Sequence, residues 1–156
     1  MAKKKIKKTL VEQILTKAGI EHQAHLFNGL EGQVTENIDP NQIFKTLALR
    51  GDKTGPIIGV LSIEDHLAEK KLASLSGNKK VQMIPQKELE QTTGYVHGAN
   101  SPIGIRQRHN YPIYIDGRAL DFPTILVSAG EIGRSVQLAP KDLAQFLGAD
   151  FADFRE

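Results

Sequence analysis

Two apolar runs separated by a short glycine-bounded turn constrain the fold of this chain more than any other feature. The runs, IFKTLALRG from Ile43 and GPIIGVLS from Gly55, are rich in the branched and apolar residues that strands favour. The turn between them, Gly51 to Gly55, has the length of a hairpin connection. We therefore predict two neighbouring core strands joined by a tight turn.

The rest of the chain predicts short helices mixed with further strands. Helical spacing follows a cap at Thr9 and recurs in IEDHLAEKKLASLSG, in QKELEQTTG and from Pro140 to Gly148. Strand-like segments are EHQAHLF, KKVQM, PIYID, PTILVSAG and SVQLA. Because strands and helices do not alternate regularly, the pattern favours an α/β (α+β) fold with an antiparallel-rich sheet over a parallel doubly wound fold.

Composition bounds the function classes. The length of 156 residues, 40% of them hydrophobic, suits one domain over residues 1–156, with a lysine-rich basic tail at residues 1–8. Absence of cysteine excludes disulfides, thiolate metal sites and a protein thiol nucleophile. No apolar run approaches the roughly 18 residues that span a bilayer, so we expect a cytoplasmic protein without a membrane partner.

A backbone-rich segment, TGYVHGANSPIG at residues 93–104, is the first candidate site. We call residues 94–104 the glycine loop. Glycine lets a ligand approach the backbone closely, and Pro102 stiffens the segment. The pattern matches neither a Walker phosphate loop nor a dinucleotide fingerprint. From the residues alone, a ligand cradle and an ordinary structural turn are both open.

Charged side chains supply the other candidates. Lys45, inside the first apolar run, either points to solvent or provides a fixed positive charge for a phosphate or a developing oxyanion. Arg106 and Arg108 follow the glycine loop, where they could contact a nucleic-acid backbone or form a solvated face. His22 and His25 lack further ligands in a metal-binding pattern, so we expect neither metal nor cofactor.

Taken in order, IFKTLAL, KKVQM, TGYVHGANSPIG, FPTILVSAG and VQLAPKDLAQFLGADFADF resemble the YbaK/EbsC family of freestanding aminoacyl-tRNA deacylases. These proteins are related to the editing domain of bacterial prolyl-tRNA synthetase. The resemblance runs from about Thr9 to the end of the chain. It implies a curved, barrel-like mixed β-sheet flanked by helices, with a pocket for the 3′ end of a misacylated tRNA, and prolyl-tRNA synthetase as a partner.

The resemblance also implies a reaction and a set of site residues. The expected activity is trans-editing of Cys-tRNA(Pro), with Cys-tRNA(Cys) as a further substrate, through attack of the substrate's own thiol on its ester. The lysine matching Lys45 is expected to contact the tRNA terminus. The aminoacyl ester is expected to contact the remaining predicted substrate-binding residues, which are Phe27, Gly98, Ala99, Asn100, Ser101 and Pro102.

The chain departs from the family pattern at four positions. Phe27 stands where members often carry tyrosine, Ala99 replaces a glycine, and Glu131 and Ser135 replace a frequent lysine and aspartate. These changes bear on which amino acid is removed. The open alternatives are deacylation of Ala-tRNA(Pro) or another small-residue tRNA, and a non-catalytic module that binds tRNA or a synthetase.

Overall fold

A computed structural model describes residues 8–26 and 38–156 of the protein. Phe27 and residues 1–7 of the predicted basic tail lie outside the described residues. The helices are α1 (Leu10–Lys17), α2 (Glu69–Ser76), α3 (Gln86–Thr93), α4 (Pro102–Arg108) and α5 (Pro140–Leu147). The strands are β1 (Gln23–Leu26), β2 (Phe44–Gly51), β3 (Gly55–Ser62), β4 (Val81–Met83), β5 (Ile113–Asp116), β6 (Ile125–Glu131), β7 (Arg134–Leu138) and β8 (Asp150–Ala152).

The hairpin predicted from the two apolar runs is confirmed. Strands β2 and β3 pair antiparallel over their whole length, from Phe44 opposite Ser62 to Gly51 opposite Gly55. Gly55 adopts a φ of +75°, which glycine tolerates best. The hairpin forms the centre of a five-stranded sheet with the order β4-β2-β3-β5-β8. Pairing with β3 therefore fixes the N-terminal half of β2 in the sheet.

The other strands complete a mixed α/β fold, as predicted. A second sheet has the order β1-β7-β6, and an isolated bridge from Ile43 to Leu126 links it to the first. Most pairings are antiparallel, but β5 pairs parallel with both β3 and β8, and the sequence analysis missed β8. Within residues 8–26 and 38–156 the strands form two sheets rather than a closed barrel. The barrel-like curvature therefore stays a prediction.

Part of the glycine loop is helical, which the sequence analysis did not foresee. Helix α4 begins at Pro102, whose fixed φ suits the first helical position. The Ser101 hydroxyl caps the helix by accepting a hydrogen bond from the Gly104 backbone N–H at 3.2 Å. The predicted loop therefore ends at Ser101, and Arg106 and Arg108 lie on helix α4.

The two faces of β2 belong to different parts of the core. Phe44 and Ala48 pack into the larger apolar cluster, while Leu49 packs into a second cluster that includes Phe154. Since side chains alternate along a strand, Lys45 points to the opposite face from its neighbour Thr46. Lys45 and Thr46 can thus contact groups on opposite faces of β2.

A buried ion pair ties helix α1 to the start of β7. Arg134 donates to Glu12 through Nη2 at 2.8 Å from Oε1, and only 2% of the Glu12 side chain is exposed. Burial alone would raise the pKa of Glu12. Hydrogen bonds from Arg134 and Thr9 outweigh burial, and the pKa is held below its usual value. Removing one partner of such a pair leaves an uncompensated buried charge.

Candidate active site

A cavity of about 550 Å³ lies beside the N-terminal half of β2. Strand β4 covers β2 only from Leu49 to Gly51, so the preceding residues of β2 leave an open edge. The wall opposite this edge is built from the start of α3, the glycine loop and β7. The cavity is lined by Ile43, Phe44, Lys45, Thr46, Leu47, Ala48, Ile63, Met83, Ile84, Gln86, Leu89, His97, Gly98, Asn100 and Ser135.

Three of the predicted site residues, Lys45, Gly98 and Asn100, line this one cavity. Strand β2 supplies the lysine and the glycine loop supplies the other two, although they are more than fifty positions apart in the sequence. Ala99, Ser101 and Pro102 are buried behind the wall and are absent from its lining. The structure therefore divides the predicted loop residues into a lining group and a supporting group.

Lys45 lies at the boundary between two cavities. Its Nζ donates to the backbone carbonyl of Asp65 at 2.6 Å. The same residue lines a neighbouring cavity of about 520 Å³, together with His66 and Lys70. Arg118 holds the Asp65 side chain through an Nη1–Oδ1 contact of 3.1 Å. The ammonium of Lys45 is thus positioned by the backbone carbonyl of Asp65, in the segment that connects β3 to α2.

Asn100 joins the glycine loop to β2. Its Nδ2 donates to the Thr46 carbonyl at 3.4 Å, and its Oδ1 accepts from the Thr93 hydroxyl at 3.0 Å. Both Asn100 and Thr93 are buried. Because the nitrogen and the oxygen of the side-chain amide both make hydrogen bonds within the protein, Asn100 fixes the loop against the strand.

Gly98 exposes backbone where a ligand could approach. It has a φ of +89°, in the left-handed region that favours glycine. A Cβ placed there would come no closer than 3.8 Å to Ile132, so conformation rather than space requires glycine. The next N–H, of Ala99, donates to the Val96 carbonyl at 3.0 Å and is used within the loop. Gly98 is thus the part of the loop best suited to face an ester.

The two predicted tRNA-binding arginines differ in how far their guanidinium groups are already engaged within the protein. Arg106 donates through Nε to the Leu147 carbonyl at 2.7 Å and through Nη1 to Asn110 at 3.2 Å, and burial lowers the pKa of its guanidinium. Arg108 is exposed, with its guanidinium carbon 5.5 Å from the centre of the Tyr95 ring. Burial raises the pKa of Tyr95, while the Arg108 charge opposes part of that rise. Of the two, Arg108 retains the freer cation.

Besides His97 of the glycine loop, three lining residues add polar groups that the sequence analysis did not assign to the site. Thr46 follows Lys45 directly, and Gln86 begins α3. Ser135, noted only as a departure from the family pattern, also lines the cavity. Adjacency to Lys45 was the one sequence signal that could have indicated Thr46. Gln86 and Ser135 reach the cavity through long-range packing, which no local sequence pattern encodes.

Among residues 8–26 and 38–156, no group of three or more histidine, aspartate or glutamate side chains is arranged to hold a metal ion. In the same part of the chain, no helix has both the length and the apolar character needed to cross a membrane.

The cavity can position an activated ester without a protein nucleophile. It offers a lysine cation, the accessible backbone at Gly98 and a predominantly apolar wall. An aminoacyl ester needs orientation and stabilisation of negative charge on its carbonyl oxygen more than it needs a strong attacking group. Binding and orientation of such an ester is therefore chemistry that the arrangement supports.

Comparison with known proteins identifies relatives over most of the chain. A model of the aminoacyl-tRNA editing domain family matches residues 29–146. A protein of Enterococcus faecalis, provisionally named Cys-tRNA(Pro)/Cys-tRNA(Cys) deacylase EbsC, is 43% identical over 74% of this chain and 70% of its own. An uncharacterized protein of Bacillus subtilis, YwhH, is 29% identical over 72% of this chain and 69% of its own.

Solved structures share the fold. One, described provisionally as a trans-editing enzyme for prolyl tRNA synthetase, superposes with a TM-score of 0.81 at 24% identity and covers 94% of each chain. Another, of a hypothetical protein, gives a TM-score of 0.83 at 20% identity and covers 94% of this chain and 99% of its own. The predicted resemblance and the mixed α/β fold are confirmed. The chain belongs to the aminoacyl-tRNA editing domain family, and its activity is that of an aminoacyl-tRNA deacylase.

Proposed function

We propose that the protein edits misacylated tRNA in trans and that Cys-tRNA(Pro) is its principal substrate. The observation that carries the proposal is the shared cavity, in which Lys45 faces the same space as Gly98 and Asn100. The name of the Enterococcus faecalis relative, which includes both Cys-tRNA(Pro) and Cys-tRNA(Cys), supports the choice of substrate. Cys-tRNA(Cys) is the natural second substrate to examine.

Each predicted residue has a proposed part. Lys45 holds a phosphate of the terminal nucleotide by exchanging its bond to the Asp65 carbonyl for the stronger charged acceptor. Gly98 and Asn100 present loop backbone to the aminoacyl ester, while the supporting residues Ala99, Ser101 and Pro102 fix the shape of the loop. Arg108 contacts the tRNA backbone. The aminoacyl contact of Phe27 and the tRNA contact of Arg106 stay predictions.

The proposed reaction uses the nucleophile that the substrate carries. The cysteine thiol sulfur attacks its own ester carbonyl, a carbon–sulfur bond forms, and the bond to the tRNA 3′ oxygen breaks. The thiol proton passes to that oxygen, which leaves as the free 3′ hydroxyl. Water then opens the cyclic thioester to give free cysteine. The cysteine-free chain is compatible with this scheme, in which the protein orients and stabilises rather than attacks.

The proposal extends to the domain organisation, the cellular location and the protein partner. We propose that residues 1–156 form a single editing domain, in which the two sheets act as parts of one curved, barrel-like wall around the cavity. Because misacylated tRNA arises during translation, we place the activity in the cytoplasm. Prolyl-tRNA synthetase is the proposed partner, since it is the enzyme that produces mischarged tRNA(Pro).

Deacylation assays test the proposal. Purified protein is expected to hydrolyse Cys-tRNA(Pro) well above the buffer rate, and Lys45→Ala to lower kcat/KM by roughly 10- to 100-fold, the usual worth of a hydrogen bond to a charged group. Lys17→Ala, which removes an exposed lysine from α1, is the matched control and is expected to keep full activity. A wild-type rate equal to that of buffer would refute the proposal.

The same assay separates the alternatives. Parallel reactions with Cys-, Ala- and Ser-tRNA(Pro) show which aminoacyl group is removed fastest. A preference for Ala-tRNA(Pro) would replace thiol attack by attack of a bound water or a tRNA hydroxyl. Tight binding of charged tRNA without turnover would instead indicate a non-catalytic binding module. Differences of one methylene are worth only about 1–3 kcal/mol, so measured ratios rather than single substrates are needed.

A further inference from the structure

The hydroxyl of Thr46 is a buried polar group without a partner in the wall of the candidate active site. Thr46 lines the cavity, and only 8% of the residue is exposed. Its Oγ1 is buried and has no hydrogen-bond partner in the described part of the chain. Leaving such a group unsatisfied costs about 1–3 kcal/mol.

The surroundings of Thr46 are otherwise well satisfied. Its carbonyl accepts from Asn100, and the next carbonyl on the same edge of β2, that of Ala48, accepts from the Ile84 N–H at 3.1 Å. The buried hydroxyl of Thr93, across the same wall, accepts from the Tyr95 N–H at 3.1 Å and donates to Asn100 Oδ1 at 3.0 Å. The lone unsatisfied hydroxyl therefore contrasts with the completed pairing around it.

Valine would fill the same volume on a buried strand without the polar penalty. A hydroxyl retained next to a cavity is explained if a ligand in that cavity completes its hydrogen bonding. Threonine side chains occupy staggered rotamers, and a rotation about Cα–Cβ exchanges the positions of hydroxyl and methyl at the wall. The oxygen can thus reach a ligand without movement of the backbone of β2.

We propose that Thr46 is a substrate-binding residue whose hydroxyl makes a hydrogen bond to a polar atom of the aminoacyl ester. The inference rests on the proposed function, because it takes an aminoacyl ester as the occupant of the cavity. Lys45 and Thr46 lie on opposite faces of β2, so the lysine serves the nucleotide side and the threonine serves the aminoacyl side. Successive residues of one strand would then read the two halves of the substrate.

Binding of a non-hydrolysable substrate tests the proposal without requiring turnover. The probe is tRNA(Pro) carrying cysteine through a 3′ amide, compared with uncharged tRNA(Pro). Wild-type protein is expected to bind the charged probe more tightly than uncharged tRNA. Thr46→Val should weaken binding of the charged probe about tenfold, the loss of one well-placed hydrogen bond, and leave binding of uncharged tRNA unchanged. Thr46→Ser, which restores a hydroxyl, should recover most of the affinity.

Thr92→Val is the matched control, because the buried Thr92 hydroxyl bonds the Glu88 carbonyl at 2.9 Å and Thr92 is not among the lining residues. We expect Thr92→Val to lower the free energy of unfolding and to keep affinity, and Thr46→Val to keep or raise the free energy of unfolding while losing affinity. Equal binding of the charged probe by Thr46→Val and wild type overturns the inference. So does an equal loss for charged and uncharged tRNA.

The outcomes also separate this inference from the proposed function. Wild-type binding of the charged probe with a selective Thr46→Val defect, but no deacylation of Cys-tRNA(Pro), would retain the inference and refute the proposed editing of Cys-tRNA(Pro). Deacylation by wild type with an unaffected Thr46→Val variant would do the reverse.

Discussion

The two walls of the cavity are held in place in different ways. On the glycine-loop wall, Asn100 and Thr93 are buried and hydrogen-bonded to each other, and Asn100 also donates to the Thr46 carbonyl of β2. On the opposite wall, Lys45 makes one hydrogen bond, to the backbone carbonyl of Asp65. The difference indicates a rigid wall that shapes the aminoacyl site and an adjustable cation that can exchange its acceptor when a phosphate arrives. Preorganised groups lower the cost of binding, and a mobile cation permits release.

Breaking the rigid wall at Asn100 should have the largest effect. Asn100→Leu removes both amide hydrogen bonds and keeps the branching and heavy-atom number of the side chain, so we expect a loss of about 2–3 kcal/mol in the free energy of unfolding. Misplacing the loop by about 1 Å should lower kcat/KM by about 100-fold. Urea unfolding and deacylation kinetics of the same preparation measure the two effects.

Asn78→Leu is the control for this prediction. Asn78 is also buried and braces a turn, accepting from the Lys53 and Thr54 N–H groups, but it is not among the residues that line the cavity. It should lose a similar amount of stability and keep its kcat/KM. If both variants lose activity in parallel, the bracing by Asn100 has no special connection to the site.

Which features of the two walls could be predicted from the sequence depends on how far apart in the chain the interacting residues are. Lys45, Gly98 and Asn100 were predicted because the family pattern is carried by side-chain identity. The hairpin was predictable because its signal is local. The acceptor of Lys45 is a backbone carbonyl, which has no residue signature, and the contact from Asn100 to Thr46 spans 54 positions. The start of α4 was missed because Ser101 and Pro102 read equally well as a turn and as a helix cap.

The ion pair behind the rigid wall should give the next largest effect. Arg134 begins β7 directly after the turn that carries Ile132, which lies beside Gly98. Glu12→Gln removes the charge that compensates Arg134, and a hydrogen bond between charged groups is worth about 1.5–3 kcal/mol. We therefore expect about 2 kcal/mol less stability at pH 7, measured by urea unfolding.

This prediction has a defined pH dependence. The folded-state pKa of Glu12 lies below its unfolded value near 4.5, so the stabilisation is complete above that value and is lost as pH falls through the folded pKa. Wild type should therefore lose more stability than Glu12→Gln between pH 6 and pH 3. Glu88→Gln, at an exposed pair with Arg50, should retain the wild-type slope. Equal slopes for wild type and Glu12→Gln would contradict the account.

Loosening the adjustable wall should have a smaller effect. Arg118→Met removes the contact to the Asp65 side chain, whose backbone carbonyl holds Lys45. Because the pair is partly exposed, we expect about 1 kcal/mol, which corresponds to about a fivefold rise in KM with little change in kcat. Steady-state deacylation kinetics provide the measurement.

Arg155→Met is the matched variant for this measurement. Arg155 pairs with Asp116, and 32% of its side chain is exposed, compared with 33% for Arg118. It should leave KM unchanged. A fall in kcat for Arg118→Met, at constant KM, would show that Arg118 acts on the reacting groups rather than through the position of Lys45.

The smallest effect is expected at Ala99, the position where the family pattern favours glycine. The sequence alone allowed its methyl to narrow the aminoacyl pocket. In the structure Ala99 is 3% exposed and lies behind the cavity wall, so its methyl packs against the protein. Ala99→Gly should cost about 1 kcal/mol in stability, from lost burial and added chain entropy. The ratio of kcat/KM for Cys-tRNA(Pro) and Ala-tRNA(Pro) should change less than twofold.

The reciprocal change one residue earlier sharpens this last test. Gly98→Ala places a side chain at a φ of +89° in a residue that lines the cavity, where the strain costs about 1–2 kcal/mol. It should alter the substrate ratio more than Ala99→Gly, although both variants change one methyl. If Ala99→Gly shifts the ratio as strongly as Gly98→Ala, the loop acts as one adjustable unit, and the contrast between a rigid and an adjustable wall is lost.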